Sequence, residues 1–136
     1  MTWLPELVVM GASPVAKALC SLAAHFQFAI PAVDADVVLL PTSRQRYVVI
    51  ATQGQGDMLA LNAALASGPS SISFVGSSRK FAALSQKLMD AGADPAAVRS
   101  VKAPAGLNIN AVTPDEIALS ILAELVKQRR AARAEV

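Results

Sequence analysis

The sequence predicts an α/β fold, a three-layer Rossmann-like sandwich with a mainly parallel sheet. Short apolar runs recur along the chain, and most are followed by a glycine turn or by a segment with helical spacing. Hydrophobic residues make up 54% of the 136 residues and charged residues only 16%, a balance that excludes intrinsic disorder. Alternating strands and helices are typical of a parallel sheet covered by helices. We therefore expect a single domain over residues 1–136.

The first half of the chain contains four apolar runs that we interpret as strands. They lie at residues 7–10, 28–33, 37–40 and 47–51. Pro31 removes a backbone donor from the second run, which predicts an irregular strand there. One helix is predicted over 14–24, and another over 58–66 with Asp57 as its N-cap.

The second half continues the alternation of strands and helices. A strand is predicted over 72–75, and Ser77 or Ser78 can cap the helix that follows and that ends near Gly92. A short strand is expected around Val101.

The last helix has the clearest start signal in the sequence. Thr113 is followed directly by Pro114 and, three residues after the threonine, by Glu116. This spacing is that of a capping box, in which the two side chains bond reciprocally to backbone amides. The helix is predicted to run to about Arg130.

Composition also limits the setting in which the protein works. The chain has no run of about 18 apolar residues, and its first residues lack the basic start and long apolar core of a signal peptide. Cys20 is the only cysteine, so no internal disulfide can form. The formal net charge is +2, without a broad basic face. We expect a cytoplasmic protein with neither nucleic acid nor membrane as partner and, because charged residues are few, a homodimer.

Four loops fall at the predicted carboxyl ends of strands, where ligands bind in doubly wound sheets. They are residues 11–15, 52–57, 76–80 and 104–113. The first resembles a dinucleotide fingerprint, because Gly11 closes a strand and a helix starts at once, but Ser13 stands where a second glycine is needed. Two interpretations stay open: an anion site made by the helix N-terminus and the Ser13 hydroxyl, or a plain tight turn.

The loop from Gly76 to Lys80 has the strongest signal for a charged ligand. The hydroxyls of Ser77 and Ser78 and the cations of Arg79 and Lys80 meet at the start of a predicted helix. Cations are normally placed at the other end of a helix, so their presence here favours the charge of a ligand. We expect an anion to bind between this loop and the Gly11 loop.

The remaining candidate residues have weaker signals. Asp34 stands where a dinucleotide-binding domain holds a ribose, although Asp36 competes for that role and a solvated turn aspartate is an equal alternative. Thr52 and Asn110 lie on neighbouring loops and could add neutral hydrogen bonds. His25 is the only histidine, so we predict no metal site, and no catalytic constellation is present.

Two stretches resemble a known family, the Rossmann half of the XdhC/CoxI/CoxF proteins, which are xanthine dehydrogenase accessory proteins and maturation factors of molybdenum hydroxylases. Residues 104–124 read PAGLNINAVTPDEIALSILAE, close to the family's P-I-G-L-x-I-x-A-x-T-P-x-E-I-A-x-S-I-x-A-E. The family's G-S-x-R-K element matches Gly76 to Lys80. The resemblance covers roughly residues 6–130.

The resemblance implies a role in enzyme maturation. Such proteins are thought to bind the molybdenum cofactor, a molybdopterin that is often a dinucleotide, to support its sulfuration and to deliver it to a xanthine or carbon monoxide dehydrogenase. The implied partners are a molybdenum hydroxylase apoenzyme and a sulfurase, and an accessory protein is implied rather than an enzyme. The alternative from the residues is an NAD(P)- or flavin-nucleotide-binding domain of oxidoreductase type.

The chain departs from the family pattern in three places. Ser13 replaces a glycine of the first loop, which usually reads G-A-G-x-V-A. After the fourth strand the family often has T-H-x-H-x-x-D, whereas Thr52, Gln53 and Gln55 stand here with Asp57 as a candidate counterpart of the aspartate. Both histidines are therefore missing. We also expect the family's N-terminal domain to be absent.

Overall fold

A parallel sheet forms the centre of the computed structural model, which describes residues 4–31, 39 and 45–134. Its strands are β1 (Glu6–Met10), β2 (Arg46–Ile50) and β3 (Ser71–Phe74). They lie in the order β1-β2-β3, and both neighbouring pairs are parallel. The predicted fold class is confirmed.

Five helices cover the sheet within the part of the chain that the structure describes. They are α1 (Pro14–Ala23), α2 (Asp57–Ala66), α3 (Ser78–Asp90), α4 (Pro95–Arg99) and α5 (Pro114–Ala134). The sequence predicts all of them except the short α4. None of these helices is both long enough and apolar enough to cross a membrane.

The sheet is buried on both faces, because successive side chains of each strand point to opposite sides. Leu7 and Val49 belong to one core cluster, together with residues of α1 and α5. Val8 and Ile50 belong to a second cluster, together with residues of α2, α3 and α4. The three layers predicted from the sequence are therefore helices, sheet and helices.

In the part of the chain that the structure describes, two of the predicted strands are represented by single bridges at the sheet edges. Ala29 bridges Glu6 in parallel, and Lys102 bridges Ser73 in parallel. Ala29 lies within the strand predicted over 28–33. Lys102 lies one residue beyond Val101, around which a short strand is predicted. The strand predicted over 37–40 lies outside the described residues, apart from the buried Leu39.

The start of α2 differs from the sequence prediction by one residue. Gly56 is the N-cap, with a φ of 81°, and Asp57 is the first residue of the helix. The Asp57 carboxylate instead accepts bonds from Thr52 and Gly54 in the preceding loop. A glycine takes the cap position because the loop needs a positive φ there.

The capping box at the start of α5 is present as predicted. The Glu116 amide donates to Thr113 Oγ1 at 3.2 Å, and Glu116 Oε1 accepts from the amides of Val112 and Thr113 at 2.9 and 3.0 Å. These backbone bonds lower the pKa of Glu116 from its ordinary value. The carboxylate form is therefore favoured in the folded protein.

This pKa shift predicts how the stabilising contribution of the capping box depends on pH. A lowered native pKa gives a stabilising contribution that is complete above the ordinary glutamate value of 4.5 and is lost as the pH falls through the native value. Glu116→Gln keeps an acceptor oxygen but not the charge. We expect it to lower Tm at neutral pH, with a difference from the parent that shrinks below pH 4.5 in thermal unfolding followed by circular dichroism. A Tm difference independent of pH would contradict this account.

Candidate functional site

The order of the strands decides which loops become neighbours at the carboxyl edge of the sheet. Because β2 lies between β1 and β3, the loop after β2 separates the Gly11 loop from the Gly76 loop. The structure places Gly76, Ser77 and Asn110 around one cleft, and Gly11 and Ser13 are not among its lining residues. Asp34 lies outside the described residues.

The Gly11 loop is fastened to the end of β2. The Ser13 hydroxyl donates to the carbonyl of Ala51 at 2.7 Å and accepts from the amide of Ala16 at 3.1 Å. Ser13 is thus the N-cap of α1 and is almost fully buried. Its hydroxyl bonds within the protein, and this internal role accounts for a serine where a dinucleotide fingerprint has glycine.

The loop after β2 is organised around the buried carboxylate of Asp57. This carboxylate accepts a hydrogen bond from the Thr52 hydroxyl and another from the Gly54 amide at 3.2 Å. Lys80 Nζ lies 3.4 Å from the other carboxylate oxygen and 5.8 Å from the centre of the Phe74 ring. Lys80 is one of the two cations that we predicted to bind an anion, and the structure gives it an acidic partner within the protein, Asp57.

Arg79 has a different environment from Lys80. Its side chain is exposed at the start of α3 and makes no hydrogen bond or ion pair within residues 4–31, 39 and 45–134. Ser77 is the N-cap of α3, and its Oγ accepts from the Lys80 amide at 3.0 Å. The amides of Ser78 and Arg79 precede the first intrahelical bond, so they remain available to an acceptor outside the helix.

The cleft between the end of β3 and α5, which we call the β3–α5 cleft, has a volume of about 920 Å³. Gly76 and Ser77 form one side, residues 102–111 form the second, and Ser120, Glu124 and Lys127 of α5 form the third. This volume is within the range of pockets that bind small molecules and cofactors.

An ion pair with several hydrogen bonds holds the wall of the cleft in place. Lys102 Nζ donates to the carbonyls of Pro104 and Gly106 at 3.0 and 2.9 Å and lies 2.5 Å from Glu124 Oε2. The other oxygen of Glu124 accepts from the Gly106 amide at 3.1 Å. The residue Glu124 is only 4% exposed. The side chain of its partner Lys102 is 46% exposed. These contacts fix residues 104–106 against α5.

Gly106 lets the loop approach α5 closely. Its φ is +95°, and a Cβ at this position would lie 3.1 Å from the Ile121 amide nitrogen and would overlap the Ser120 hydroxyl. Leu107 then donates its amide to the Ser120 carbonyl at 3.1 Å. The preceding Ala103–Pro104 peptide bond is cis. The glycine of the P-x-G-L pattern is therefore required by packing and by backbone conformation.

The groups left for a ligand in this cleft are mainly donors. Lys127 lines the cleft, is exposed and forms no ion pair within the described part of the chain. Asn108 and Asn110 add side-chain amides, and the Ser77 hydroxyl can donate while it caps α3. Lys102 has its three protons directed to protein oxygens. The cleft suits an anionic or strongly polar ligand.

Sequence reasoning missed the three charged residues that line this cleft among the described residues: Lys102, Glu124 and Lys127. On α5, Ser120, Glu124 and Lys127 have the spacing i, i+4 and i+7, which places them on one face of a helix. Ser120 and Glu124 interrupt the otherwise apolar stretch 117–126 of this helix, and this is a signal that could have indicated the site. We interpreted Lys127 only as a cation that complements the helix dipole.

The cysteine and the histidine lie away from this cleft. Cys20 is half-buried against the first core cluster, and burial raises the pKa of its thiol, which keeps it protonated at neutral pH. His25 lies in a groove between α1 and α5. Among the residues that the structure describes, no group of three or more His, Cys, Asp or Glu residues is placed to hold a metal ion.

Comparison with known proteins relates the chain to one family. The family model of the XdhC Rossmann domain matches residues 7–125. An uncharacterized protein of Escherichia coli K12, YqeB, is 29% identical over 147 residues, a match that covers 90% of this chain and 27% of that protein. A crystal structure described as a xanthine dehydrogenase from Bacillus halodurans shares the fold, with a TM-score of 0.77 and 23% identity.

The structural match covers 97% of this chain and 46% of the Bacillus halodurans chain. The chain thus spans less than half the length of either protein. The family model covers most of the chain, from Leu7 in β1 to Leu125 in α5. The resemblance seen in the sequence is confirmed: the chain belongs to the XdhC family and contains its Rossmann domain.

Proposed function

We propose that this chain is an accessory factor in the maturation of a molybdenum hydroxylase, of the xanthine or carbon monoxide dehydrogenase type. In this role it binds a molybdopterin nucleotide in the β3–α5 cleft and assists its sulfuration or its insertion into the apoenzyme. The observation that carries the proposal is the family match over residues 7–125, within which residues 104–124 build two walls of the cleft. The cofactor is cargo in this scheme, not a resident group.

The chemistry of the cleft supports a ligand of this class. A pterin nucleotide combines phosphate groups with a flat ring that carries amide-like donors and acceptors. The amides at the start of α3 and the Lys127 amine suit the phosphates. The side chains of Asn108 and Asn110 can bond to ring edges, and Leu107 and Ile109 offer apolar contact to a ring face.

The same cleft supports binding rather than chemical conversion. Its one carboxylate, Glu124, already accepts from Gly106 and pairs with Lys102. The cleft-lining residues within the described part of the chain include no histidine, cysteine or tyrosine. A general acid or base needs a proton-transfer group within reach of the ligand, and apart from the Lys127 amine, which we assign to ligand phosphates, the described lining residues supply none that is free. We infer that partner proteins, the apoenzyme and a sulfurase, supply the reactive groups.

The proposal predicts the effect of removing Lys127, which lines the cleft, and Arg79, which stands at the start of α3 two residues after the cleft-lining Ser77 but does not line the cleft itself. We expect Lys127→Ala and Arg79→Ala each to weaken binding of isolated molybdopterin dinucleotide by roughly tenfold or more, the range of a charge-assisted hydrogen bond. Isothermal titration calorimetry measures the affinity. Both side chains are exposed, so the free energy of unfolding should change little.

Lys87→Ala is the matched control, because Lys87 is an exposed lysine in the last turn of α3, at the other end of the helix from the cleft-lining Ser77. It should bind the dinucleotide as the parent does. Unchanged affinity in both Lys127→Ala and Arg79→Ala would contradict the proposed site. Tight binding of NADP+ with no binding of molybdopterin dinucleotide would instead support the alternative, a nicotinamide nucleotide domain of oxidoreductase type.

A further inference from the structure

The acceptor atoms on the α5 side of the β3–α5 cleft are already used within the protein. One oxygen of Glu124 accepts from the Gly106 amide, and the other pairs with Lys102. Ser120 is buried, and its hydroxyl donates to the Ile117 carbonyl at 2.7 Å. A ligand that brings amino groups to this wall therefore meets side-chain oxygens that are buried and in contact with protein groups.

Donor groups around the same cleft are left for a ligand. Ser77 Oγ accepts from the Lys80 amide at 3.0 Å, which leaves its hydroxyl proton to donate. The Lys127 amine has three protons and no acceptor, and it forms no ion pair with the residues that the structure describes. Ligand atoms that accept hydrogen bonds are thus the better match for these side chains.

Asn108 adds a donor whose identity is fixed by a hydrogen bond. Its Oδ1 accepts from the backbone amide of Asn110 at 3.3 Å. A backbone N–H can only donate, so the oxygen of the side-chain amide, and not its nitrogen, must take this position. The Nδ2 group, with two protons, is the part of the amide that is left for other contacts. Asn108 is exposed and lines the cleft, so it offers a ligand a donor.

The loop that carries Asn108 is fastened on both sides. The Leu107 amide donates to the Ser120 carbonyl at 3.1 Å, and the Val112 amide donates to Glu116 Oε1 at 2.9 Å. A donor that is held in place before the ligand arrives loses little freedom on binding. Asn108 is therefore suited to discriminate between ring edges that differ in one group.

We infer that the cleft selects the oxo-bearing edge of a heterocyclic ring, and that Asn108 is the residue that determines this preference. The inference rests on the proposed function, because it assigns one contact to a ring of the ligand in the same cleft. The Nδ2 protons of Asn108 donate to an oxo oxygen. An amino group at the same ring position sets protons against protons and leaves both groups without an acceptor, which costs binding free energy. The pterin ring and several nucleobases carry such an oxo group.

Two nucleotides test this preference. Inosine diphosphate and adenosine diphosphate have the same sugar and phosphates, and the ring amino group of the second is an oxo group in the first. Isothermal titration calorimetry of the full chain should give inosine diphosphate a dissociation constant about three- to tenfold lower, the range of one neutral hydrogen bond. Asn108→Asp keeps an oxygen for the Asn110 amide but replaces the Nδ2 donor with an acceptor. It should reverse the order of the two affinities. The added charge acts equally on both diphosphates and leaves their ratio unaffected.

Asn110→Asp is the matched control, because it adds the same charge two residues away and keeps the Asn108 amide and its backbone donor. It should preserve the order of affinities that the parent shows. Equal affinities in the parent, or a ratio that Asn108→Asp leaves unchanged, would overturn the inference. Binding of neither nucleotide where molybdopterin dinucleotide binds would overturn it as well. In these cases binding of molybdopterin dinucleotide leaves the proposed function standing, whereas its failure to bind would remove both.

Neopterin monophosphate distinguishes the two sources of the oxo group, because it has the pterin ring and a phosphate but no nucleobase. Tighter binding than that of inosine diphosphate assigns the Asn108 contact to the pterin. Weaker binding assigns the contact to the nucleobase. Either order supports the inference when Asn108→Asp reverses the preference between the two nucleotides.

Discussion

Replacing Gly11 with alanine is expected to lower the free energy of unfolding by about 4 kcal/mol, the sum of backbone strain and overpacking. Gly11 has a φ of +116°, a conformation that residues with a side chain rarely adopt. An added Cβ would lie 2.7 Å from the Ala51 carbonyl carbon and 2.8 Å from the Thr52 Cα. Both are backbone atoms at the end of β2, so neither can rotate away. Urea unfolding followed by circular dichroism measures the loss.

Gly92→Ala is the matched control for this prediction. Gly92 has a φ of +99°, but a Cβ there would meet no atom within 4 Å. The Gly92→Ala variant should therefore lose only the part of the free energy of unfolding that comes from backbone strain, about 1–2 kcal/mol. Equal losses in Gly11→Ala and Gly92→Ala would show that the contact between the Gly11 loop and β2 is not tight.

Replacing Glu124 with alanine is expected to have the second-largest effect, lowering the free energy of unfolding by about 2–4 kcal/mol. The substitution leaves the Gly106 amide without its acceptor and Lys102 without its acidic partner. Breaking a buried ion pair costs about 3–5 kcal/mol, and the partial exposure of the Lys102 amine reduces that figure. Glu124→Gln keeps one acceptor oxygen and should lose roughly half as much.

The effect of Glu124→Ala should extend from stability to ligand binding. Residues 104–106 are held to α5 through Glu124 and Lys102, so their release loosens one wall of the β3–α5 cleft. Calorimetric titration with molybdopterin dinucleotide below the melting temperature should show weaker binding. Asp90→Asn, an exposed acid at the end of α3, should change neither property. A Glu124→Ala variant as stable as Asp90→Asn would contradict this role.

Much of the fold follows from local patterns in the sequence. The apolar runs at β1, β2 and β3 and the capping box at Thr113 depend on neighbours a few residues away. The order of the strands in the sheet does not follow from such local patterns. Nothing local shows that β2 lies between β1 and β3, and this order decides that Lys80 meets Asp57 while the Gly11 loop lies outside the β3–α5 cleft.

The cleft itself could be predicted only in part. Gly76, Ser77 and Asn110 were identified from loops at strand ends, and all three line the cleft. Lys102 and Glu124 were missed, because their ion pair forms only when the segment after α4 packs against α5. Ser13 was identified for its hydroxyl, but which partner that hydroxyl takes depends on the position of Ala51 in the neighbouring strand. Contacts between distant segments thus set the limit of the sequence prediction.

The central claim is that the β3–α5 cleft binds the phosphate-bearing part of a molybdopterin nucleotide. The most direct measurement is a nuclear magnetic resonance titration of the 15N-labelled chain, first with inorganic pyrophosphate and then with molybdopterin dinucleotide. The account predicts saturable shifts of the amide signals of residues 76–79 and 106–110, with those of α2 unchanged. No shift at these residues, or shifts confined to residues 11–15, would contradict it.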